Sequence, residues 1–351
     1  MRKRLFCLML TLALLCCSCQ KAASAVKRTA TIYDVFDTAI TVIGFTDAQS
    51  DFDDAVAYAK RRFGALHRLF DCYNEYEGVA NVCTLNREAA LAPVKVEPEL
   101  VELLLFAKEW QPKLGNTCNI AMGAVLRLWH DTRANAEAGG AVILPTDEAL
   151  QAAAKHVDYD TVILDADAST VFFTDPALKL DLGAIAKGYA TEKVSGELIA
   201  RGFTSFILNA GGNVRAGDPP QDGRARWAVS IQNPLDPASS DWTEVLYLTN
   251  LSVVTSGDYQ RYCELDGVRY HHLISPQTLY PANENHSVTI VTENSTLGDL
   301  LSTAVFLMPY AQGRALIDSL DGVEALWVTA DGAIERTDGL LPYCASAGAQ
   351  N

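Results

Sequence analysis

Apolar residues recur at helical spacing in several segments of the chain. Within 51–71, the apolar positions three or four residues apart are Val56, Ala59, Phe63, Leu66, Leu69 and Phe70. Residues at this spacing share one face of a helix, so the segment predicts a helix with one buried side. The same spacing predicts helices over 99–111, 184–201, 297–307 and 314–320. Thr146 has the chemistry of an N-cap, and the acidic residues after it predict a further helix to about residue 157.

Short apolar and β-branched runs predict strands between these helices. They lie at 31–45, 161–164, 170–173, 178–182, 203–209, 227–232, 245–248, 253–256, 287–291 and 325–329. Asp266-Gly267 predicts the tight turn of a hairpin, and Gly139-Gly140 predicts a loop over 135–144. Because helices and strands alternate without a regular βαβ period, the predicted fold class is α+β.

The first residues have the pattern of an export signal rather than of a folded element. Basic residues at positions 2–4 precede an apolar run over 5–15, which is shorter than the roughly 20 residues of a membrane span. The run ends in Cys16-Cys17-Ser18-Cys19, which resembles a bacterial lipobox. Cys19 is the predicted lipidated residue, with the small Ser18 before it. Cys17 is the alternative because Leu14 lies three residues upstream, and a plain signal peptide with incidental cysteines is a third interpretation.

Composition and charge narrow the classes of protein further. The chain has 351 residues, of which 49% are hydrophobic, as in a globular protein. Its net charge of −15 argues against nucleic-acid binding, because affinity for phosphate backbones comes from lysine and arginine. The predicted organisation is a lipoprotein signal over 1–19, a tether over 20–30, one domain over 31–340 and a tail over 341–351. The protein is therefore expected to be exported and anchored by lipid to a bacterial cell membrane.

The cysteines do not form a disulfide framework. Four of the nine fall in the predicted signal, and the rest are Cys72, Cys83, Cys118, Cys263 and Cys344. An odd number at irregular spacing, without a C-x-x-C pair among these five, predicts free thiols rather than a disulfide, zinc or redox site.

Three motifs combine glycine turns with polar residues. Over 179–190 an apolar run ends at Asp181, and a glycine turn leads into the predicted helix that contains Lys187. A helix N-terminus with a lysine suits phosphate binding. An ordinary packing glycine between a strand and a helix would give the same pattern. Gly211-Gly212 either forms a tight turn or lets the backbone approach a ligand closely. Asp299 and Thr303, four residues apart on one helical face, offer the oxygen donors that Mg²⁺ prefers. A favourable helix-terminal aspartate and a back-bonded threonine are the structural alternative.

A fourth motif joins Thr255–Tyr262 to a histidine pair at the start of 271–276. Because neighbouring strand residues face opposite ways, only one of His271 and His272 can enter a site. The other histidines, at 67, 130, 156 and 286, are interpreted as structural.

Taken together and in this order, these motifs resemble the ApbE family of FAD:protein FMN transferases. That family typically shows D-L-G-G-I-A-K-G-Y-A, N-x-G-G-D-I, S-G-D-Y-E-R-Y, H-H-I-L-D-P-x-T-G and A-D-A-L-A-T-A. The corresponding segments here are 181–190, 209–214, 256–262, 271–278 and 298–304. Weaker similarities occur at 36–38, 71–73 and 118–121, so the likeness covers roughly residues 30–335.

The resemblance implies a T-fold-like α+β protein that holds FAD in a cleft between two lobes. It implies cleavage of FAD with Mg²⁺, transfer of FMN to a threonine or serine of an exported acceptor flavoprotein, and release of AMP. It places Mg²⁺ on Asp299, Thr303 and the main-chain carbonyl of Ala184. It places His272 beside the reacting phosphate, and a role for His272 as general base for the incoming hydroxyl is a hypothesis. It assigns flavin or adenine contacts to Phe36, Tyr73, Cys118, Asn119, Asp181, Lys187 and Ile274.

The chain departs from the family pattern at several of these positions. Ser275 replaces the usual aspartate, Phe36-Asp37 replaces Met-Gly, 119–121 replaces Asp-Pro-Thr, and Gly298 replaces alanine. Ser302 stands where some relatives have a second carboxylate, which argues against a second Mg²⁺. A Mg²⁺-dependent FAD pyrophosphatase and a non-catalytic flavin-binding lipoprotein are the alternative functions.

Overall fold

The computed structural model describes residues 25–351, a mixture of helices and strands that confirms the α+β class. The helices are α1 (Gln49–Phe70), α2 (Val82–Glu88), α3 (Pro98–Trp110), α4 (Gly123–Glu137), α5 (Asp147–Ala153), α6 (Ala186–Ala200), α7 (Ser295–Phe306) and α8 (Tyr310–Asp318). The strands are β1 (Val26–Val35), β2 (Thr38–Thr46), β3 (Val94–Lys95), β4 (Val162–Asp165), β5 (Thr170–Phe173), β6 (Phe206–Ala210), β7 (Asn213–Ala216), β8 (Trp227–Gln232), β9 (Trp242–Leu248), β10 (Ser252–Gly257), β11 (Tyr262–Leu265), β12 (Val268–His271), β13 (Asn285–Thr292), β14 (Glu324–Thr329) and β15 (Ile334–Arg336). Each of the five helices predicted from apolar spacing is present within a few residues of its predicted bounds.

An antiparallel sheet of eight strands, in the order β1-β2-β6-β7-β10-β13-β14-β15, carries the larger core. Successive strand residues face opposite ways, so Ile290 and Val291 enter different cores. On one face of the sheet, helices α1, α6 and α7 bury side chains such as Phe63 and Leu300. The other face is covered by the β8–β9 hairpin and the C-terminal turns. The sheet is therefore buried on both sides.

A smaller core forms around helices α4 and α5. Trp129, Leu150, Ile274 and Leu279 are buried together there. The indole N–H of Trp129 donates to the carbonyl of Leu279 at 2.8 Å. This bond fastens α4 to the loop that follows the β11–β12 hairpin, and the Asp266-Gly267 turn of that hairpin is as predicted.

Several sequence predictions need correction. The predicted strand over 31–45 is two strands, because Phe36 and Asp37 take left-handed φ values of 53° and 50° and turn the chain. Segment 178–182 is not a ladder strand: the side chain of Asn86 makes both hydrogen bonds of the Leu180 backbone. Strand β1 begins at Val26, inside the predicted tether. The predicted tail contains the buried Cys344 and so packs onto the domain.

Helix α4 was not predicted, and its last turn occupies the start of the predicted loop over 135–144. The Thr146 N-cap is confirmed, since its hydroxyl accepts from the N–H of Ala149 at 3.2 Å. The α-helix there ends at Ala153 and continues as a 3₁₀ turn to His156. The five cysteines within 25–351 are free thiols, as predicted.

The signal peptide, its predicted lipidation site Cys19 and the alternative Cys17 lie outside the described residues. None of the described helices is both long and apolar enough to cross a membrane.

Candidate active site

A cleft of about 840 Å³ lies where the large sheet, its helices and the smaller core meet. The β1–β2 turn, the loop after α1, the N-terminus of α6, and helices α4 and α7 all contribute to its wall. All the residues predicted to bind metal or flavin, or to act in catalysis, line this cleft: Phe36, Tyr73, Cys118, Asn119, Asp181, Ala184, Lys187, His272, Ile274, Asp299 and Thr303. The fold thus gathers residues that are up to 267 positions apart (303 − 36) into one cavity.

Asp299 is a buried carboxylate held by two hydrogen bonds. Its side chain enters the cleft from the second turn of α7, with 3% of the residue exposed. One carboxylate oxygen accepts from the main-chain N–H of Gly188 at 2.7 Å, and the other accepts from the amide of Asn213 at 3.2 Å. Burial raises the pKa of Asp299, while the nearby Lys187 ammonium opposes that rise. A cation beside this carboxylate would favour its ionised form.

The bond from Gly188 also frees a main-chain carbonyl. In a continuing helix, the Gly188 N–H would donate to the carbonyl of Ala184, four residues earlier. Here Ile185 has φ −140° and ψ −21°, α6 begins at Ala186, and the N–H of Gly188 is used by Asp299. No main-chain N–H within 25–351 donates to the Ala184 carbonyl. This oxygen is therefore available to a ligand in the cleft.

The donor chemistry of this corner fits Mg²⁺. Asp299, Thr303 and the Ala184 carbonyl offer one carboxylate, one hydroxyl and one carbonyl oxygen, and Mg²⁺ commonly uses one or two carboxylates together with waters and substrate phosphates. Each Asp299 oxygen accepts one protein hydrogen bond, so lone pairs remain for a cation. Within residues 25–351, no group of three or more His, Cys, Asp or Glu side chains could hold a metal by itself. A metal here would take its other ligands from water or substrate.

Ser302 does not extend this donor set. It is fully buried, and its hydroxyl lies 2.8 Å from that of Ser256 and 3.0 Å from the Asp299 carbonyl. The Ser302 side chain therefore serves packing between α7 and β10.

Gly188→Ala is expected to disrupt this corner. A Cβ at this position would lie 2.4 Å from the Asp299 Cβ and 2.4 Å from the Ser295 carbonyl oxygen, far inside contact distance. The backbone would have to shift and would lose the bond to Asp299, so we expect a loss of about 1–3 kcal/mol in the free energy of unfolding and of most activity. Chemical denaturation and FAD turnover measure the two effects.

Gly196→Ala on the same helix is the matched control, because its added methyl group would meet no other group of residues 25–351 within 4 Å beyond its own helix. An unchanged Gly188→Ala enzyme would show that the close packing of α6 on α7 is not needed.

His272 and His271 face different surroundings, as expected for neighbours at a strand end. His271 is buried outside the cleft, where its Nε2 lies 2.7 Å from the carbonyl of Ala282. His272 lines the cleft, and its Nδ1 is shielded from solvent without a hydrogen-bond partner within 25–351. Burial, then the charges of Arg261, Arg133, His271 and Lys187, lower the pKa of His272 well below its usual value. The imidazole is therefore neutral near pH 7.

Several of the predicted flavin-contact residues are held by hydrogen bonds and ring stacking. The Tyr73 hydroxyl donates to Asp181 at 3.1 Å, and its ring stacks on His130 with centroids 4.1 Å apart. Burial, then the charge of Asp181, raises the pKa of Tyr73, so the phenol stays protonated. The amide of Asn119 donates to the carbonyl of Val157 at 2.8 Å and so fixes its own loop.

Two cysteines and two further histidines also line the cleft. Burial raises the pKa of Cys118 to about 12, and burial followed by nearby acidic groups raises that of Cys72, so both are protonated thiols. His67 accepts from the main-chain N–H of Phe36 at 3.2 Å. The structural role predicted for this residue agrees with that bond, although its position in the cleft wall was not foreseen.

Sequence reasoning missed two groups of cleft residues. Asn213 lay in a recognised glycine motif but was not assigned a role, although its amide holds Asp299. His130 and Arg133 lie three residues apart on α4 and both line the cleft. Predicting α4 as a helix would have placed them on one face and identified the wall they form.

Comparisons with known proteins identify similar sequences and a similar fold. The sequence model of the ApbE family matches residues 36–327. The FAD:protein FMN transferase of Treponema pallidum (strain Nichols) is 34% identical over 297 residues, which is 79% of this chain and 80% of that protein. The FAD:protein FMN transferase of Klebsiella pneumoniae (strain 342) is 31% identical over 280 residues, or 78% and 82% of the two chains. The crystal structure of the ApbE protein of Thermotoga maritima aligns with a TM-score of 0.78 at 28% identity, covering 91% of this chain and 99% of that one. The predicted ApbE architecture is confirmed.

Proposed function

We propose that this chain, which belongs to the ApbE family, is an FAD:protein FMN transferase that uses Mg²⁺ and releases AMP. The family match and the two relatives above support the transfer of FMN from FAD to a protein. The observation that carries the metal-dependent part is the buried Asp299 carboxylate beside the free Ala184 carbonyl and Thr303. We propose that these three oxygens hold Mg²⁺ while FAD is bound.

The proposed reaction exchanges the phosphoanhydride bond of FAD for a phosphoester bond to the acceptor protein. The hydroxyl oxygen of an acceptor threonine or serine attacks the phosphorus on the flavin side of FAD. The bond from that phosphorus to the bridging oxygen breaks, and AMP leaves with the bonding electrons. The hydroxyl proton passes to a base. Such transfers depend mainly on positioning and on neutralising charge, and bound Mg²⁺ would supply that neutralisation at the phosphate oxygens.

The residues of the chain have separate tasks in this proposal. Lys187, in the first turn of α6, faces Asp299 and offers a positive charge to the pyrophosphate. Tyr73 and Asp181 form a hydrogen-bonded wall for a flavin or adenine ring. His272 has a ring nitrogen without a partner among the described residues and a neutral imidazole, so it is the candidate base for the hydroxyl proton.

The pH dependence of transfer should report the surroundings of His272. A base must be neutral to accept a proton, and burial together with Arg261, Arg133, His271 and Lys187 lowers the pKa of this imidazole below 6.5. Activity should therefore persist as pH falls through 6.5 and decline only at lower pH. Single-turnover transfer rates at constant ionic strength give the profile. An acid limb centred above pH 6.5 would contradict this description of His272.

We further propose that the chain acts outside the cytoplasmic membrane, attached by lipid at Cys19. The basic, apolar and cysteine-rich order of residues 1–19 supports this location. Labelling cells with a lipid precursor and comparing Cys19→Ala with Cys17→Ala would identify the modified residue. Equal labelling of both variants would contradict either assignment.

The proposed transfer is tested by the intact mass of an acceptor protein. The full chain is incubated with FAD, Mg²⁺ and a flavoprotein subunit that carries an exposed threonine, with and without EDTA. A mass gain equal to FMN less one water, lost with EDTA and with a threonine-to-valine acceptor, supports both the transfer and its metal dependence. A gain that survives EDTA removes the metal from the proposal, and no gain with release of free FMN favours the pyrophosphatase.

A further inference from the structure

Arg133 is a partly buried guanidinium in the cleft wall that lacks the partners such a group normally has. It lies near the end of α4, and its Nη1 is shielded from solvent without a hydrogen-bond partner among the described residues. Glu137 follows one turn later, but no carboxylate within 25–351 forms an ion pair with Arg133. Leaving a charged donor desolvated and unpaired is costly, and such exceptions in folded proteins call for an explanation.

Two other partly buried arginines of the chain are paired with carboxylates. Arg62 contacts Glu197 at 2.8 Å and Glu99 at 2.6 Å, and Arg336 contacts the buried Glu244 at 2.8 Å. Arg215 is also partly buried, and although its Nε lacks a partner its Nη1 donates to two main-chain carbonyls. The described part of the chain supplies neither a carboxylate nor a carbonyl to Arg133, and its unpartnered Nη1 belongs to a side chain that lines the cleft.

Positive charges also lie near Arg133, and they do not replace the missing carboxylate partner. Arg261, which donates to the carbonyls of Phe36 at 3.3 Å and Asp37 at 3.1 Å, lines the same cleft. Burial lowers the pKa of Arg133, and the like charge of Arg261 lowers it further. Both arginines and Lys187 also act on His272. In a chain with a net charge of −15, three cations surround one neutral histidine.

We propose that Arg133 is a substrate-binding residue whose free Nη1 donates to a phosphate oxygen of FAD, in the same cleft as His272 and Asp299. The inference rests on the proposed function. A phosphate accepts from a guanidinium in a planar, charge-assisted geometry, and its negative charge relieves the repulsion between Arg133 and Arg261. Lys187, the metal corner and the two arginines would then together neutralise the charge of the pyrophosphate.

Ligand binding to the purified full chain tests this assignment without relying on turnover. Arg133→Gln removes the charge, Arg133→Lys keeps it without the planar donor pair, and Arg61→Gln is the matched control, an exposed helical arginine outside the cleft. Calorimetry at fixed Mg²⁺ gives the affinities for FAD, FMN, AMP, riboflavin and adenosine.

We expect Arg133→Gln to weaken FAD binding by about 10-fold to 100-fold, as for the loss of a hydrogen bond to a charged group. Arg133→Lys should fall between this variant and the unchanged protein. Riboflavin and adenosine, which lack phosphate, should bind as before. Weaker binding of FMN alone, or of AMP alone, would support the inference and identify the phosphate that Arg133 contacts.

Two results would overturn the inference. Equal weakening of all five ligands would make Arg133 a packing residue. Unchanged FAD binding with a higher acceptor concentration needed for half-maximal transfer would assign it to an acidic acceptor instead. If the unchanged protein bound none of the flavin ligands, the proposed function itself would fail, which is distinct from both results.

Discussion

Asp299→Ala is expected to lower FAD turnover by at least about 100-fold, because it removes the only carboxylate among the three proposed metal-binding oxygens. Both oxygens of that carboxylate are oriented, by Gly188 and by Asn213, before any ligand binds. Neither Thr303 nor the Ala184 carbonyl carries a charge that could replace it. AMP release at saturating Mg²⁺ measures the loss, and the unfolding midpoint shows whether the variant still folds.

Asp318→Ala, which removes an exposed helical aspartate paired with Arg314, is the matched control and should retain full turnover. The unchanged enzyme should require Mg²⁺ in the millimolar range or below, whereas Asp299→Ala should gain little from more metal. Turnover above one tenth of the original in Asp299→Ala would show that the charge of this corner does not drive the reaction.

His272→Ala is expected to slow FMN transfer by about 100-fold to 10,000-fold, the usual range for the loss of a general base. FAD affinity should change little, because His272 is proposed to accept a proton from the acceptor hydroxyl rather than to bind FAD. Rapid-quench single-turnover kinetics separates transfer from product release, and FAD titration measures binding in the same variant.

His156→Asn controls for the loss of an imidazole, since His156 is partly exposed beside Asp175 at 2.9 Å and does not line the cleft. Unchanged transfer by His272→Ala with intact FAD binding would remove the base assignment. Slower transfer that appears only as weaker FAD binding would make His272 a binding residue instead.

Local sequence signals predicted the elements that bury an apolar face. Helix α1 has apolar residues at regular spacing, and seven of its residues are buried. Helix α4 escaped prediction because its buried positions are few, namely Gly123, Val125, Trp129 and Thr132. Part of its remaining surface, including His130 and Arg133, lines a polar cleft rather than a core. The polar residues that interrupt the apolar spacing of α4 are therefore residues of the site.

The sequence predicted which residues form the candidate site but not the contacts that position them. The order of the motifs and the family resemblance predicted Asp299, Thr303 and Ala184 as metal-binding residues. Their arrangement depends on a bond between Gly188 and Asp299, which are 111 positions apart, and no local pattern reports such a bond. Likewise, both hydrogen bonds of the Leu180 backbone within 178–182 are made by the side chain of Asn86, and apolar content alone cannot distinguish this segment from a ladder strand.

The stoichiometry of one turnover distinguishes transfer of FMN to a protein from hydrolysis of FAD. The full chain is mixed with FAD, Mg²⁺ and excess acceptor, and AMP, free FMN and acceptor-bound FMN are quantified from the same quenched samples. A transferase that directs the phosphoryl group to a protein hydroxyl predicts equal amounts of AMP and acceptor-bound FMN, with little free FMN and little AMP when acceptor is omitted. AMP accompanied by an equal amount of free FMN, whether or not acceptor is present, would contradict transfer to a protein hydroxyl and identify water as the attacking group.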